Sequence, residues 1–305
     1  MDFWIDGQNS GKTVRDFLKK QHISSALCTR LKQREDGILL NGTRVTVRAV
    51  LKEGDRLSLA LFDEAVNPKL LPLEKEVEVL LDTPDLVALN KPPFMPTHPS
   101  HGHFDDTLAN VIVWQYRAAT PRFSPRFVNR LDRNTSGVVL VAKHAHAAAM
   151  LAGQIAAGEM QKAYIAVVCG EISGETVLKT GIRRQNESVI TREVCAVGEG
   201  DIAVTHVKPL AVKNGHTLVL LQPQTGRTHQ LRVHMASLGA PILGDDLYGA
   251  PRHGIGRHAL HAATLSFVAP NGMPVTVRAP LAPDMVGLIA DIFGEEGRAL
   301  AKQYC

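Results

Sequence analysis

A short charged segment, residues 129–137 with the sequence NRLDRNTSG, runs directly into the apolar residues 138–142. The apolar run predicts a buried strand, and the turn-forming residues before it predict a loop at the mouth of that strand. The loop carries one carboxylate, Asp132, between Arg130 and Arg133. Because loops held by a rigid scaffold often carry reactive groups, Asp132 is a candidate for chemistry. On spacing alone, a solvated turn residue is the alternative.

The rest of the chain divides into two predicted domains. A length of 305 residues allows one large or two smaller domains, each with its own core. Residues 62–74 contain Asn67, Pro68 and Pro72 and show little periodicity. We therefore predict a small domain at 1–62, a linker at 63–74 and a large domain at 75–305.

Periodicity in the large domain predicts an α+β fold with a mixed or antiparallel sheet and flanking helices. Many strand-like runs and few helices argue against a doubly wound sheet. The predicted helices are 107–117, 144–157 and 228–238. The predicted strands are 76–81, 85–89, 138–142, 163–168, 260–268 and 274–278, with several more between 176 and 222.

The small domain is basic. Residues 11–60 hold eleven Lys and Arg against five Asp and Glu, a net charge of +6, whereas the whole chain carries +4. Two short helices within 13–34 are predicted to precede strands at 38–40, 43–47 and 56–61. Such an excess of cations suits a polyanionic partner, and a solvated basic face is the alternative.

Several classes of function find no support in the sequence. Four scattered cysteines without a C-x-x-C pair are typical of free thiols in a reducing cytosol. The histidine groups at 98–103 and 253–261 lack thiol or carboxylate partners at metal spacing, and the glycines form no phosphate-cradling motif. No apolar run approaches the roughly 20 residues that span a bilayer, and no secretory signal is visible. We expect a cytoplasmic protein without metal or cofactor.

Five sequence blocks, in order, resemble the signature blocks of the RluA-type pseudouridine synthases. They are VALNKPPFMPTHPS at 87–100, RLDRNTSG at 130–137, QKAYIAVVCG at 161–170, QTGRTHQLRVH at 224–234 and GAPILGDDLYG at 239–249. The resemblance extends from about Leu73 to Phe293. One position departs from it, because the family commonly has His where this chain has Asn129.

The resemblance implies an enzyme that isomerises uridine in RNA to pseudouridine without a cofactor. It assigns the catalytic carboxylate to Asp132, the guanidinium that keeps this carboxylate ionised to Arg227, and an active-site ring to Tyr164. The reaction breaks the C1′–N1 bond, turns the uracil and joins C1′ to C5. A carboxylate suits such chemistry at an electron-poor sugar carbon.

The same resemblance implies RNA contacts around that site. Arg130 is expected to fill the space left by the extruded uridine, and Arg133, Lys162 and Arg232 to hold phosphates or neighbouring bases. The small domain resembles an S4 RNA-binding module, in which we expect Lys20, Arg30, Lys32 and Arg34 to contact RNA. The expected partner is ribosomal RNA, weakly favoured as that of the large subunit, or transfer RNA. The expected assembly is a monomer.

Two other functions are compatible with the residues. An RNA chaperone or ribosome assembly factor could use the same fold without chemistry, although it would not require Asp132, Tyr164 and Arg227 together. A nucleoside hydrolase would release free uracil, which an isomerase does not.

Overall fold

The computed structural model describes residues 1–21, 23–61, 70–118, 123–185, 190–250 and 254–305. The predicted linker falls largely outside these residues. The described residues form two separate sheets, one in the N-terminal part and one in the rest of the chain.

The N-terminal sheet packs against two short helices over its own core. In chain order the elements are β1 Asp2–Trp4, α1 Val14–Lys20, α2 Ser25–Gln33, β2 Ile38–Leu40, β3 Thr43–Arg44 and β4 Arg56–Leu59. Thr13 and Ser24 cap the helices, each accepting a hydrogen bond from a backbone amide of the first turn. The predicted strand 43–47 is shorter than expected: it ends at Arg44, and beyond it the amide of Val45 still donates to the carbonyl of Ile38 on β2. The predicted helices and the strand at 38–40 are confirmed, and the strand predicted at 56–61 ends at Leu59.

The second sheet is mixed, as predicted. Its strands are β5 Val79–Asp82, β6 Leu86–Lys91, β7 Arg126–Phe127, β8 Ser136–Ala142, β9 Gln161–Cys169, β10 Thr176–Arg184, β11 Arg192–Cys195, β12 Asp201–Lys213, β13 His216–Pro223, β14 Leu260–Val268 and β15 Pro274–Arg278. They are ordered β11-β10-β12-β13-β9-β14-β8-β6-β5, with β15 beside β14 and β7 beside β8. The β14–β8 pair is parallel, and the other described pairs are antiparallel.

Four helices cover this sheet: α3 Leu108–Tyr116, α4 Ala145–Ala157, α5 Gln230–Ser237 and α6 Pro283–Lys302. Strand β8 is apolar after Ser136, and both of its faces are buried. Val139 and Val141 pack with α3, whereas Val138 and Leu140 pack with α4. Helices α5 and α6 pack over β9 and β13 in a third core. The continuous apolar run at 138–142 is therefore the signature of a strand between two helical layers.

Some element bounds differ from the predicted ones. The predicted strand 76–81 begins only at Val79, because the backbone of Val77 is hydrogen-bonded by the side-chain amide of Gln115 and not by a neighbouring strand. Helix α5 begins at Gln230 and not at residue 228, since His229 adopts a left-handed φ of 57°. Helix α6 was not predicted, although Pro283 at its first turn and a periodic apolar face are typical of a helix.

The parallel pairing of β8 with β14 brings the start of β8 to the site described below. Ser136 lies opposite His261 and Gly137 opposite Ala262. A Cβ atom on Gly137 would lie 2.1 Å from the carbonyl oxygen of Ala262, and its φ is +112°. This close approach requires glycine. Among the described residues, no helix is both long and apolar enough to cross a bilayer.

Candidate active site

A cleft of about 220 Å³ opens where the loop at 129–135 faces the start of β9 and the segment that leads into α5. The predicted site residues converge here. Those lining the cleft are Arg130, Asp132, Lys162, Tyr164, Arg227 and Arg232. Arg133 is the predicted site residue of this domain that lies outside the described lining.

Asp132 is held by a guanidinium that it shares with a second carboxylate. Arg232 Nη1 donates to Asp132 Oδ2 at 3.2 Å, while its Nε and Nη2 each donate to Asp245 at 2.7 Å. The Arg232 side chain is 5% exposed and that of Asp245 is fully buried. Asp132 itself remains 29% exposed toward the cleft. The two-pronged bond to Asp245 orients Arg232 so that its third contact reaches Asp132.

The carboxylate of Asp132 is kept ionised by its surroundings. Burial alone would raise its pKa, but His229, Arg232 and His258 lower it, and the net pKa is below the usual value. Burial also lowers the pKa of His229 and brings that of His258 to about 4, so both rings are neutral at pH 7. The charge that persists at neutral pH is therefore that of Arg232.

The prediction that Arg227 pairs with Asp132 is wrong in this structure. Arg227 is exposed at the cleft, where its Nε donates to the carbonyl of Ile202 at 3.1 Å. Arg232, expected to hold phosphates, is buried between two carboxylates. Because α5 begins after Arg227, that residue lies on the preceding turn, whereas Arg232 lies within the helix.

Tyr164 forms one wall of the cleft from strand β9, with its backbone paired to Leu221 on β13 and Ala262 on β14. Burial raises the pKa of Tyr164, and the nearby charge of Asp132 raises it further. The hydroxyl is consequently protonated at neutral pH. It can donate a hydrogen bond, and its ring offers a flat surface to a base.

Cations surround the mouth of the cleft. Arg130 reaches across it, donating from Nη2 to the hydroxyl of Thr228 at 2.6 Å. Lys162 Nζ donates to the carbonyl of Thr225 at 3.3 Å, and burial lowers the pKa of its ammonium. Arg133 is exposed, with Nη1 3.2 Å from Nε2 of His103.

Two buried cations that the sequence did not point to hold the loop around Asp132. The ammonium of Lys91, at the end of β6, donates to the carbonyls of Pro92, Met95 and Arg133 at 2.8–3.0 Å. Arg257 donates from Nη1 to the carbonyl of Asn134 at 3.0 Å and is anchored by Asp284 at the start of α6. A cation within or beside an apolar run was the available signal for Lys91.

Uncharged contacts complete this support. The Thr97 hydroxyl donates to the carbonyl of Leu131 at 2.9 Å. Side chains of Thr135 and Ser136 contact the buried rings of His258 and His261 at 2.8 and 2.9 Å. Asn129 donates from Nδ2 to the carbonyl of Val138, and its Oδ1 accepts from the amide of Leu140. The residue that departs from the family pattern therefore binds the loop to β8.

Known proteins are similar to this chain in sequence and in architecture. The sequence profile of the family described as RNA pseudouridylate synthase matches residues 85–237. A Bacillus subtilis protein named uncharacterized RNA pseudouridine synthase YjbO is 39% identical over 279 residues, which cover 91% of this chain and 98% of that protein. The chain belongs to the RNA pseudouridylate synthase family. It is thus an RNA pseudouridine synthase, an enzyme that isomerises uridine in RNA.

Further relatives of this pseudouridine synthase carry more specific names. The ribosomal large subunit pseudouridine synthase D of Xylella fastidiosa is 33% identical, with 83% of this chain and 80% of that protein covered. A solved structure, human RNA Pseudouridylate Synthase Domain Containing 1, is 26% identical with a TM-score of 0.57, covering 74% of this chain and 94% of its own. Family membership favours the isomerase over the non-catalytic assembly factor. No group of three or more potential metal ligands occurs within the described ranges.

Proposed function

We propose that Asp132 is the carboxylate that acts on the ribose of the target uridine, and that Arg232 is the residue that keeps it ionised and aimed. The observation that carries this proposal is the Asp132–Arg232–Asp245 chain at the bottom of the cleft. An ionised carboxylate can attack C1′ or remove a proton from the sugar, and either step assists cleavage of the C1′–N1 bond. Tyr164 supports the freed uracil while it turns.

The test replaces Asp132 with asparagine, the uncharged residue closest to it in shape. Asp132→Asn keeps the side-chain volume but removes the negative charge, so we expect single-turnover pseudouridine formation to fall at least about 1,000-fold. RNA binding and the unfolding temperature should remain near those of the native enzyme. Asp291→Asn, at an exposed position on α6, is the control and should turn over at the native rate. Substantial pseudouridine formation by Asp132→Asn would remove this role.

The proposed RNA is that of the large ribosomal subunit. Support comes from relatives in Xylella fastidiosa and Pseudomonas aeruginosa, both named ribosomal large subunit pseudouridine synthase D. Carbodiimide-blocked reverse transcription of RNA from cells with and without the gene tests this directly. We expect a reverse-transcription stop in large-subunit RNA from cells that have the gene and no such stop in RNA from cells that lack it. A vanishing stop in transfer RNA would reassign the substrate.

Residues 1–62 are proposed to act as an S4-like RNA-binding module, joined by a linker at 63–74 to the catalytic domain at 75–305. A separate sheet, a core drawn from residues 5–61 that Ala145 of α4 contacts from the large domain, and the local net charge of +6 support this division. Arg30 and Lys32 are exposed on α2, whereas Arg34 is paired with Asp36 and Lys20 donates to Asn9. Arg30 and Lys32 are therefore better placed than Arg34 to meet phosphates. The monomeric state and the cytoplasmic location stay predictions.

The salt dependence of RNA binding tests the module. Each lost phosphate contact lowers the slope of log K against log salt by about 0.7–0.9. We expect Arg30→Gln with Lys32→Gln to lower the slope by roughly 1.5, without changing the turnover of bound RNA. Lys302→Gln, which removes one cation at the end of α6, is the control and should leave the slope unchanged. An unchanged slope in the double variant would exclude this helix from the RNA interface.

A further inference from the structure

An exposed phenylalanine stands on strained backbone beside the catalytic loop. Phe94, between β6 and α3, is 54% exposed and has a φ of +63°. This left-handed conformation is unfavourable for residues with a Cβ atom and is uncommon for bulky ones. The other described non-glycine residues with positive φ are Asn41, Asn214 and His229. Asparagine tolerates this conformation and His229 precedes α5, so Phe94 is the outlier.

The turn that strains Phe94 is built by the same ammonium that holds the catalytic loop. Lys91 Nζ donates to the carbonyls of Pro92 and Met95, which flank the strained position on either side. It also donates to the carbonyl of Arg133, the residue after Asp132. Phe94 is consequently fixed next to the catalytic loop. An exposed ring repays little of the strain by burial, and such strain is concentrated at ligand-binding sites.

The surroundings of Phe94 match a nucleotide next to the target and not the target itself. Phe94 is outside the described lining of the cleft that holds Asp132 and Tyr164. The exposed guanidinium of Arg133 is available for a neighbouring phosphate. Extruding a uridine from its stack leaves the adjacent base without a partner, and exposed aromatic rings stack such bases regardless of sequence.

We propose that Phe94 is a substrate-binding residue that stacks on an unpaired base adjacent to the extruded uridine, with Arg133 on the connecting phosphate. The proposal rests on the RNA substrate of this enzyme and adds a base-stacking position beside its cleft. A second exposed phenylalanine, Phe104, follows His103 in the same loop. It precedes Asp105 and Asp106, whose charges disfavour phosphate, so we exclude it from the platform.

Variants of Phe94 separate stacking from packing. Phe94→Gly removes the ring and relieves the backbone, so the unfolding temperature should stay level or rise by about 1–3 °C. The KM for RNA should rise by roughly 5- to 100-fold with kcat within about twofold, the range for losing one stacked base. Phe94→Tyr and Phe94→Trp keep a flat ring and should restore the native KM. Phe94→Ala should raise KM like Phe94→Gly without any gain in thermal stability.

The probe is RNA labelled with tritium at uridine C5, extracted from cells that lack the gene, since pseudouridine formation releases that tritium to water. Asn214→Gly relaxes the same backbone conformation in the β12–β13 hairpin, and Phe104→Ala removes a ring that is 66% exposed. Both controls should leave KM within about twofold of the native value.

A native KM in Phe94→Gly would overturn the proposal, as would failure of Phe94→Tyr to restore the native KM. A clear loss of thermal stability in Phe94→Gly would instead make the ring a packing residue. Absence of tritium release by the native enzyme would contradict the isomerase function itself.

Discussion

At Asp132 the decisive neighbour is an arginine 100 residues away in the chain. The guanidinium of Arg232 donates hydrogen bonds to both Asp132 and the fully buried Asp245. Its two bonds to Asp245 fix its orientation. Lysine cannot reproduce this arrangement, because an ammonium is a point charge without the planar fork of guanidinium. The proposed catalytic carboxylate therefore depends on Asp245, a fully buried residue outside the lining of the cleft.

The first prediction separates Arg232 from Arg227. Without Arg232 the pKa of Asp132 rises, so the active ionised form is lost at a higher pH as the solution is acidified. We expect Arg232→Lys to lower kcat by about 100-fold or more and to shift the acid limb of the kcat/KM profile upward. It should also destabilise the protein, since an ammonium retains the charge but cannot reproduce the two parallel hydrogen bonds of the guanidinium to the buried Asp245.

Arg227→Lys is the matched comparison within the same segment. Arg227 is exposed and contacts a carbonyl, so the acid limb of its variant should coincide with that of the native enzyme. Measuring kcat/KM of both variants between about pH 4.5 and 8 distinguishes the two roles. This window brackets the titration of a carboxylate with a raised pKa. If Arg227→Lys moved the acid limb while Arg232→Lys did not, the roles drawn from the structure would be reversed.

The second prediction concerns Lys91, whose pKa is lowered to about 7 by burial first and by Arg257 second, against the opposing charge of Asp132. The unfolded chain binds a proton at Lys91 up to a pKa near 10.4, so between about pH 7 and 10 the unfolded state holds more protons there. The contribution of Lys91 to stability consequently rises with pH across this window, by roughly 4 kcal/mol at most. Below about pH 7 this contribution should be flat.

Urea unfolding at several pH values measures this slope. Lys91→Met removes the titrating group, so the difference in unfolding free energy between native enzyme and variant should grow from about pH 7 to pH 10. Because the variant also leaves carbonyls without a donor, its stability is expected to be lower throughout. Parallel curves for the two proteins would show that Lys91 keeps an ordinary pKa in the fold.

Among the elements, the parallel pairing of β8 with β14 positions the loop that holds Asp132. It delivers the loop at 129–135 to the cleft, and it depends on Gly137, where a Cβ atom would meet the Ala262 backbone. We predict that Gly137→Ala destabilises the protein by about 3 kcal/mol or more, since both the backbone conformation and the contact are lost. Activity should fall with it, because Asp132 lies in the loop that leads into Gly137.

Gly153→Ala provides the control for this prediction. Gly153 lies within α4, and a Cβ atom added to it would meet nothing within 4 Å, so alanine should stabilise the helix by about 0.5–1 kcal/mol. Chemical unfolding of both variants gives the comparison. Equal stability of the Gly137→Ala and native proteins would mean that the two strands can separate without loss.

For the whole molecule, the two sheets predict separable binding and chemistry. The N-terminal core is drawn from residues 5–61, whereas the residues of the cleft all lie at 128–260. We predict that a protein comprising residues 70–305 retains kcat within about threefold, while its KM for RNA rises and becomes less sensitive to salt. Steady-state rates at several salt concentrations measure this. Loss of kcat in a folded 70–305 protein would mean that the N-terminal module completes the active site.

Local hydrophobic periodicity predicted many of the strands and helices of the fold. The apolar runs at 138–142 and 163–168 were predicted as buried strands, and the helices at 107–117 and 144–157 were also correct within a few residues. Periodicity reports which face of a segment is buried, so it identifies elements well. It failed at Val77, whose backbone is hydrogen-bonded by the side-chain amide of Gln115 and not by a neighbouring strand.

Sequence motifs and short-range hydrophobic patterns were enough to predict the family, the mixed α+β class and the candidate carboxylate. Each of these depends on residues that are close together in the sequence. They did not reveal which arginine serves Asp132. Arg227 and Arg232 belong to one motif, and the start of α5 leaves the first exposed and buries the second. Nor did they reveal that Lys91 and Arg257 hold the loop. A buried cation must find acceptors, and the acceptors here lie up to 123 residues away, so only the folded chain brings them together.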